Sequence, residues 1–316
     1  MAEIRRPGNL RWWRHSRARV VLAVVLCSAG MWGCSASGGD DGEDGQRSSV
    51  EPNATGTTPP VSLPEGSTGS WRSARVVDGD TLELSSPRGE VTVRVIGINA
   101  PESGECFGEE AADALDAMVA GEELVLIADR SDLDQFERSL RYVETVDGVD
   151  VGAELVAGGF AIARRYPPDE ARADFYADLQ RDAQRAQRGL WAPDACGASD
   201  LDGVEIDVEI NADAPGDDSV NLNGEWVRFT NSGIDTVDLD GWEVADESAS
   251  HRYRFSDLRL GAGEAVTLFS GCGRDDGSAR YWCVSGSAVW NNSGDTVFLR
   301  DAQGNIVASL AYGDSS

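Results

Sequence analysis

The stretch VVDGDTLELSSPRGEVTVRVIGINAPE, Val76 to Glu102, holds two apolar runs around a turn signal, and its reading decides the fold of the first half of the chain. VVDGDTLEL follows a period of two and places Val76, Asp78, Asp80, Leu82 and Leu84 on one face of a strand. SSPRG reads as a turn. EVTVRVIGI is a second strand, with Arg94 opposite the face of Val91, Val93 and Val95. A carboxylate such as Asp80 among apolar neighbours is costly unless a cation or a donor meets it. The Pro101–Glu102 step then aims Glu102 back at the strand end. A barrel interior would bring Asp80, Arg94 and Glu102 around one pocket, one group more than an ion pair needs.

Farther along, Ala111, Leu115 and Met118/Val119 share one helical face, with Gly121 just beyond as a stop. ELVLIAD is another apolar strand, and LRYVETVDGVDV carries an Asp147–Gly148 hairpin turn between runs rich in Val. GAELVAGGFA reads as a helix. A last helix is expected from near Pro168, with Ala171, Phe175, Leu179, Ala183 and Ala186 at helical spacing, ending around Gly189. Strands first with helices interleaved late give a small α+β domain, a β-barrel carrying helices, over residues 70–197. After Gly197 the helical period disappears. EWVRFTN, VDLDGWEVAD, HRYRFSD, AVTLFSG, ARYWCV, DTVFLRD and NIVASLAYG are short strands with regularly spaced turns, which indicates an antiparallel β-sandwich over residues 205–316. Trp226, Trp242 and Trp290 read as its core.

Residues 1–33 have the pattern of an export signal: six arginines, then the apolar VVLAVVLCSAGMWG, too short to span a bilayer comfortably. Cys34 at its end resembles the lipobox cysteine of bacterial lipoproteins. That resemblance implies lipidation of Cys34 and a membrane-anchored protein facing outside the cytoplasm; plain signal cleavage nearby, giving a freely secreted protein, is the alternative. Residues 34–69, rich in Gly, Ser, Thr, Pro and acid, read as a disordered tether. Four further cysteines, Cys106, Cys196, Cys272 and Cys283, fit an oxidising compartment. Three pairings are open to them; Cys106 with Cys196 and Cys272 with Cys283 keeps each bridge within one domain. No Cys/His cluster has zinc spacing.

The formal net charge is −28, and residues 70–197 alone carry −13. Such a surface repels polyanions at long range and suits a salty or calcium-rich medium, where screening lengths are short. All 27 basic side chains are arginine, for which GC-rich coding bias is a sufficient reading.

Residues 70–197 resemble the staphylococcal-nuclease (thermonuclease) family in VVDGDTLEL, VRVIGINAPE, DQFERSLRYV, GAELVAGGFA and the closing GLW. The resemblance implies an OB-type barrel with three helices and calcium-assisted cleavage of phosphodiester bonds in DNA or RNA. It implies Asp80 as a calcium ligand, Arg94 and Arg138 as phosphate-binding arginines, and Glu102 as general base. Two positions depart from the family pattern: Asn99 stands where a second calcium-binding aspartate is expected, and Ala100 replaces a threonine. Asn99 can still offer its side-chain oxygen and Ala100 its backbone carbonyl, with one negative charge fewer and hence weaker calcium binding. Phe136 replaces a tyrosine, and Tyr166 is slightly displaced; both offer a face on which a base can stack.

Blander readings apply to several of these residues. Asp78 suits a turn, Phe136 suits packing as well as stacking, and Arg172, Arg181, Arg185 and Arg188 interleave with acids as on a solvated helix face. Residues 221–313 resemble the lamin-tail domain, an immunoglobulin-like sandwich, in NLNGEWVRFTN, VDLDGWEVAD, GAGEAVTLFSG and VWNNSGDTVFLRDAQGNIV. That half carries no catalytic constellation; Asp217, Asp218, Asn221 and Asn223 fail the spacing of a calcium loop, and its ligand is unspecified. The rival to an enzyme is a non-catalytic surface binding protein that keeps the barrel without its activity.

Overall fold

The computed structural model describes residues 70–199, 201–216, 220–248, 251–284, 288–292 and 294–313. The expected export signal, Cys34, the tether, Asp217 and Asp218 lie outside them.

Gly79 is the pivot of the first hairpin. Strand β1 (Arg72–Asp78) ends there and β2 (Thr81–Ser86) returns against it, with Val76 facing Leu82 and Asp78 facing Thr81. The single strand expected across Val76–Leu84 is therefore a tight reversal. Asp78 Oδ1 accepts the Asp80 N–H at 3.0 Å and fixes the turn. Gly79 is needed because a Cβ there would lie 2.6 Å from the Cβ atoms of Ala100 and Ala111.

Strand β3 (Gly89–Val95) pairs antiparallel with β2, Thr81 opposite Arg94 and Leu82 opposite Val93. A short β4 (Ile98–Asn99) follows, then helix α1 (Gly108–Val119), β5 (Leu124–Ile127) and β6 (Ser139–Thr145). The sheet order is β1-β2-β3-β6-β5, with β3 and β6 parallel. Trp71 closes it: its N–H and C=O exchange hydrogen bonds of 3.2 and 2.8 Å with Leu124. The result is an OB-type barrel whose interior is filled by Leu82, Leu84, Val93, Val95, Leu124 and Val143.

Helix α2 (Val151–Gly158), β7 (Ile162–Ala163) paired with β4, and α3 (Ala173–Arg185) complete the domain. The apolar face read for α1 is buried. After the Asp147–Gly148 turn, however, the expected return strand is reduced to one bridge, Glu144 to Asp150. Asp150 instead caps α2, its side chain accepting the Ala153 N–H at 3.0 Å. Helix α3 starts later than expected and buries Ala173, Tyr176, Leu179 and Ala183. Asp169 accounts for the delay: buried, it accepts the N–H groups of Arg130 and Ser131 and so pulls the preceding segment onto the barrel as a turn.

The second domain comprises β8 (Ile206–Asn211), β9 (Trp226–Asn231), β10 (Val237–Asp238), β11 (Glu243–Ala245), β12 (Arg252–Arg254), β13 (Arg259–Leu260), β14 (Ala265–Phe269), β15 (Ala279–Tyr281), β16 (Gly294–Arg300) and β17 (Ile306–Gly313). Two four-stranded sheets, β12-β11-β16-β17 and β15-β14-β9-β8, enclose Val227, Phe229, Val244, Phe255, Val266 and Trp290. This is an immunoglobulin-like sandwich; β15 runs parallel to β14. Trp242 and Trp290 are core, whereas Trp226 is only half-buried.

A third apolar cluster joins the domains: Ile162, Ala183, Leu190 and Trp191 of the first pack with Phe298 of the second. Asn305 accepts the Cys196 N–H at 2.7 Å and donates to the Gly197 carbonyl at 3.0 Å. The disulfides are Cys106–Cys196 and Cys272–Cys283, the pairing that keeps each bridge within one domain.

Candidate active site

The ends of β2 and β3 bring the polar residues together. Arg94 is nearly withdrawn from water, and its Nη2 lies 2.9 Å from Asp80 Oδ2. The same nitrogen donates to Asn99 Oδ1 at 3.1 Å, while Nη1 donates to the carbonyls of Val95 and Ile98 at 2.7 and 3.0 Å. Both terminal nitrogens of Arg94 are thus committed within the protein. Asp80 Oδ2 also accepts the Ala100 N–H at 2.8 Å, and Oδ1 accepts the Thr81 hydroxyl at 3.1 Å.

Thr81 extends the network, its hydroxyl oxygen accepting from Arg138 Nη1 at 3.4 Å. Arg138 is oriented from behind by Asp134, whose Oδ2 lies 2.7 Å from Nε. Asp134 Oδ1 also accepts the N–H groups of Phe136 and Arg138, shaping a loop in which Glu137 adopts φ 63°. A chain of contacts therefore runs Asn99–Arg94–Asp80–Thr81–Arg138–Asp134.

Glu102 stands apart from that chain and is exposed. Its backbone N–H donates to Glu105 Oε2 at 3.2 Å, and its carbonyl accepts the Glu105 N–H at 3.0 Å. Gly108 makes this fold of the loop possible, because a Cβ there would sit 2.3 Å from the Glu102 carbonyl oxygen.

Burial pushes the Asp80 carboxyl up to about 6; Arg94 opposes that rise and Asp78 adds to it. Burial likewise lowers Arg94, with Asp80 opposing. Glu102 is raised by partial burial and by the negative charges of Asp78 and Glu105. Phe136 is 69% exposed with the Arg138 guanidinium 5.5 Å from its ring centre, and Tyr166 is 56% exposed with Arg164 at 5.3 Å. Each is an open aromatic face backed by an arginine. Phe136 is not a packing residue.

Among the described residues no group of three or more His, Cys, Asp or Glu side chains is arranged to hold a metal ion. Asp80 Oδ2 and Asn99 Oδ1 share Arg94 Nη2, and the Ala100 backbone meets Asp80 through its N–H. A cleft of about 820 Å³ runs between α3 and β17 past Arg164, Gln180, Gln184 and Glu247; it contains none of Asp80, Arg94, Glu102 or Arg138.

Sequence reasoning missed Thr81, Asp134, Glu105 and the contacts from the second domain. Thr81 and Asp134 stand within stretches already singled out, but nothing in their spacing marks them as partners of Arg138. Asn99 Nδ2 donates to the Glu247 carbonyl at 3.1 Å across 148 positions, a contact with no local sequence signature.

Residues 92–193 match the family described as staphylococcal nuclease homologue, and residues 200–314 match the lamin tail domain. An uncharacterized endonuclease of Escherichia coli O157:H7 is 32% identical over 122 residues, covering 38% of this chain and 76% of the relative. A thermonuclease of Staphylococcus intermedius is 28% identical over 123 residues, covering 37% and 73%. A micrococcal nuclease of Shigella flexneri is 29% identical over 140 residues, covering 42% and 79%. With the barrel, its helices and these matches in agreement, the chain belongs to the staphylococcal nuclease homologue family and carries a lamin tail domain behind its nuclease domain.

Proposed function

We propose that the chain, a nuclease-type hydrolase by its family, cleaves phosphodiester bonds of DNA or RNA with calcium as the assisting cation. The observation that carries this reading is the buried Asp80–Arg94–Asn99 group at the strand ends, with Arg138 joined to it and the exposed Glu102 carboxyl within electrostatic reach of both arginines.

The donor set suits a hard cation in chemical type. Asp80, Asn99 and the Ala100 carbonyl offer only oxygens. Even with Arg94 in contact, burial still holds the Asp80 carboxyl up at about 6, so its charge is incompletely compensated. A divalent cation would complete that compensation and would supply Lewis-acid stabilisation to the phosphoryl oxygens. Asn99 in place of a carboxylate lowers the charge of the set, which supports weaker binding than a two-aspartate site.

The chain's own residues would do the rest. Glu102 takes a proton from the attacking water; partial burial and the charges of Asp78 and Glu105 raise its affinity for protons, the direction a general base needs. As the water oxygen bonds to phosphorus the P–O ester bond breaks, the departing oxygen taking up a proton from solvent, and in between charge builds on the phosphoryl oxygens. Arg138, braced by Asp134, presents terminal N–H groups to that charge. Arg94 first orients Asp80 and Asn99; contact with phosphate requires it to exchange one of those partners. Phe136 and Tyr166 hold bases by stacking.

DNA degradation by the protein with calcium or EDTA, beside Glu102→Gln and Arg138→Ala, tests the reading. Calcium-dependent cleavage lost in both variants supports it. No cleavage by a folded protein at low or high salt would leave the binding-module alternative. Export is proposed as well, supported by the two disulfides, with a lipid anchor at Cys34. Release of Cys34→Ala from the membrane fraction tests the anchor.

A further inference from the structure

One hairpin of the lamin tail domain, β11 and β12 with their connection, touches two segments of the nuclease site. At its first contact, the Glu247 carbonyl accepts the Asn99 side-chain amide at 3.1 Å, leaving Asn99 Oδ1 turned to Arg94. At its second, Arg252 Nη2 contacts Glu105 Oε1 at 2.5 Å while Nη1 contacts Glu243 Oε1 of its own domain at 2.9 Å. Glu105 in turn accepts the Glu102 N–H through its other oxygen. Arg252, Glu105 and the Glu102 backbone therefore form one relay from the tail domain to the proposed base.

The relay acts on a segment with little other side-chain anchorage toward the site. Glu102 is exposed and makes no ion pair among the described residues. What shapes its loop is the reciprocal pair of contacts with Glu105, and the Cys106–Cys196 bridge farther along. The Arg252–Glu105 pair is only about three-tenths exposed on either side, so screening weakens it less than an open surface pair. Asn99 has a similar logic. An aspartate there would set a carboxylate oxygen against the Glu247 carbonyl, whereas the amide supplies the donor that carbonyl needs.

We propose that the lamin tail domain is a working part of the nuclease site, with Arg252 as a positioning residue that sets Glu102 through Glu105. The inference rests on the nuclease reading for its catalytic half, though not for its structural half. Binding energy from the second domain is thereby used to hold a catalytic loop that the barrel alone supports weakly, and a displacement of about 1 Å at such a group can cost about 100-fold in rate.

The test compares the full chain with Arg252→Ala, Arg252→Lys and Arg254→Ala. Arg254 is a neighbour that pairs with Glu243 within the tail domain. Two readouts are taken: kcat and KM on a single-stranded oligodeoxynucleotide with calcium, and amide hydrogen exchange of the 101–108 peptide without calcium. Arg252→Ala is expected to lower kcat by about 10- to 100-fold at nearly unchanged KM and to speed exchange of that peptide. Arg252→Lys, which keeps the charge, should recover part of both losses, and Arg254→Ala should match wild type. A folded Arg252→Ala with wild-type kcat, or with kcat lowered but exchange unchanged, overturns the proposal. Should Arg252→Ala not fold, the lysine variant carries the same comparison at smaller amplitude. If wild type cleaves nothing, the nuclease reading falls by itself; faster exchange in Arg252→Ala then still supports the brace, and equal exchange overturns it.

Discussion

Arg94 meets Asp80 at 2.9 Å in a pair almost closed to water, and each group is there because of the other. Burying a charge is tolerable only when its partner remains. Arg94→Ala should therefore destabilise the domain by about 3–5 kcal/mol, read as a lowered urea midpoint, and abolish most activity. Asp80→Asn should also cost stability, because Arg94 keeps its charge and loses its counter-charge even though the amide oxygen still accepts from it. A wild-type midpoint for Arg94→Ala would contradict the pairing.

Asn99→Asp separates two roles of one side chain. It adds the missing negative charge beside Asp80, so calcium affinity measured by titration calorimetry should rise. It also removes the donor to the Glu247 carbonyl, so stability without calcium should fall by about 1–3 kcal/mol. Equal affinity in the two proteins would count against the ligand assignment.

Acidity should stabilise this protein over a range where many proteins begin to lose stability. Burial pushes Asp80 and Asp295 up to about 6 and Glu247 to about 7. Carboxyls whose folded values exceed their unfolded ones bind more protons when folded, so their contribution is fully present below the unfolded values. It is lost as pH rises from about 4 to about 7, at up to about 1.4 kcal/mol per pH unit for each group. Urea denaturation in EDTA should give greater stability at pH 5 than at pH 8. Glu247→Gln should flatten that slope and gain stability at pH 8. A slope of the opposite sign would refute this account.

Phe136 and Tyr166 are open to solvent and carry no core packing. Phe136→Ala and Tyr166→Ala should leave thermal stability within experimental error while raising KM for single-stranded DNA by roughly tenfold, since a stacked base is worth about 1–3 kcal/mol. A loss of stability without a change in KM would make them structural.

The Cys106–Cys196 bridge spans 90 positions, against 11 for Cys272–Cys283. By loop-closure entropy the longer bridge matters more, and removing it should cost about 2–5 kcal/mol. Thermal denaturation of the paired serine variants ranks the two.

What could be read in the sequence was local periodicity and the order of motifs. Val93 and Val95 on one face and Arg94 on the other follow from period two, and the buried face of α1 from 3.6. The reversal at Gly79 was harder to read, because Asp78, Gly79 and Asp80 fit a continuing alternation as well as a turn; the space between Ala100 and Ala111 decides it. Strand β8 carries an IDVEIN alternation but is less apolar than the other runs, so its signal is weaker. Asp150 fits either a strand end or a helix cap, and its bond to the Ala153 N–H settles which. The site's inner members were legible as residue types, but the partners that fix them, Asp134, Glu105, Glu247 and Arg252, depend on tertiary contacts that no spacing rule encodes.

The apolar cluster shared by Trp191 and Phe298, with Asn305 gripping the backbone at Cys196 and Gly197, bears on how the two halves can be inherited. A domain tethered by a free linker can be shuffled or lost at little cost. Here, excising the tail would leave the nuclease half with an uncovered apolar patch and unanswered polar backbone groups. The halves are therefore constrained to change together, and substitutions at Trp191 or Phe298 should be tolerated only with compensation across the interface.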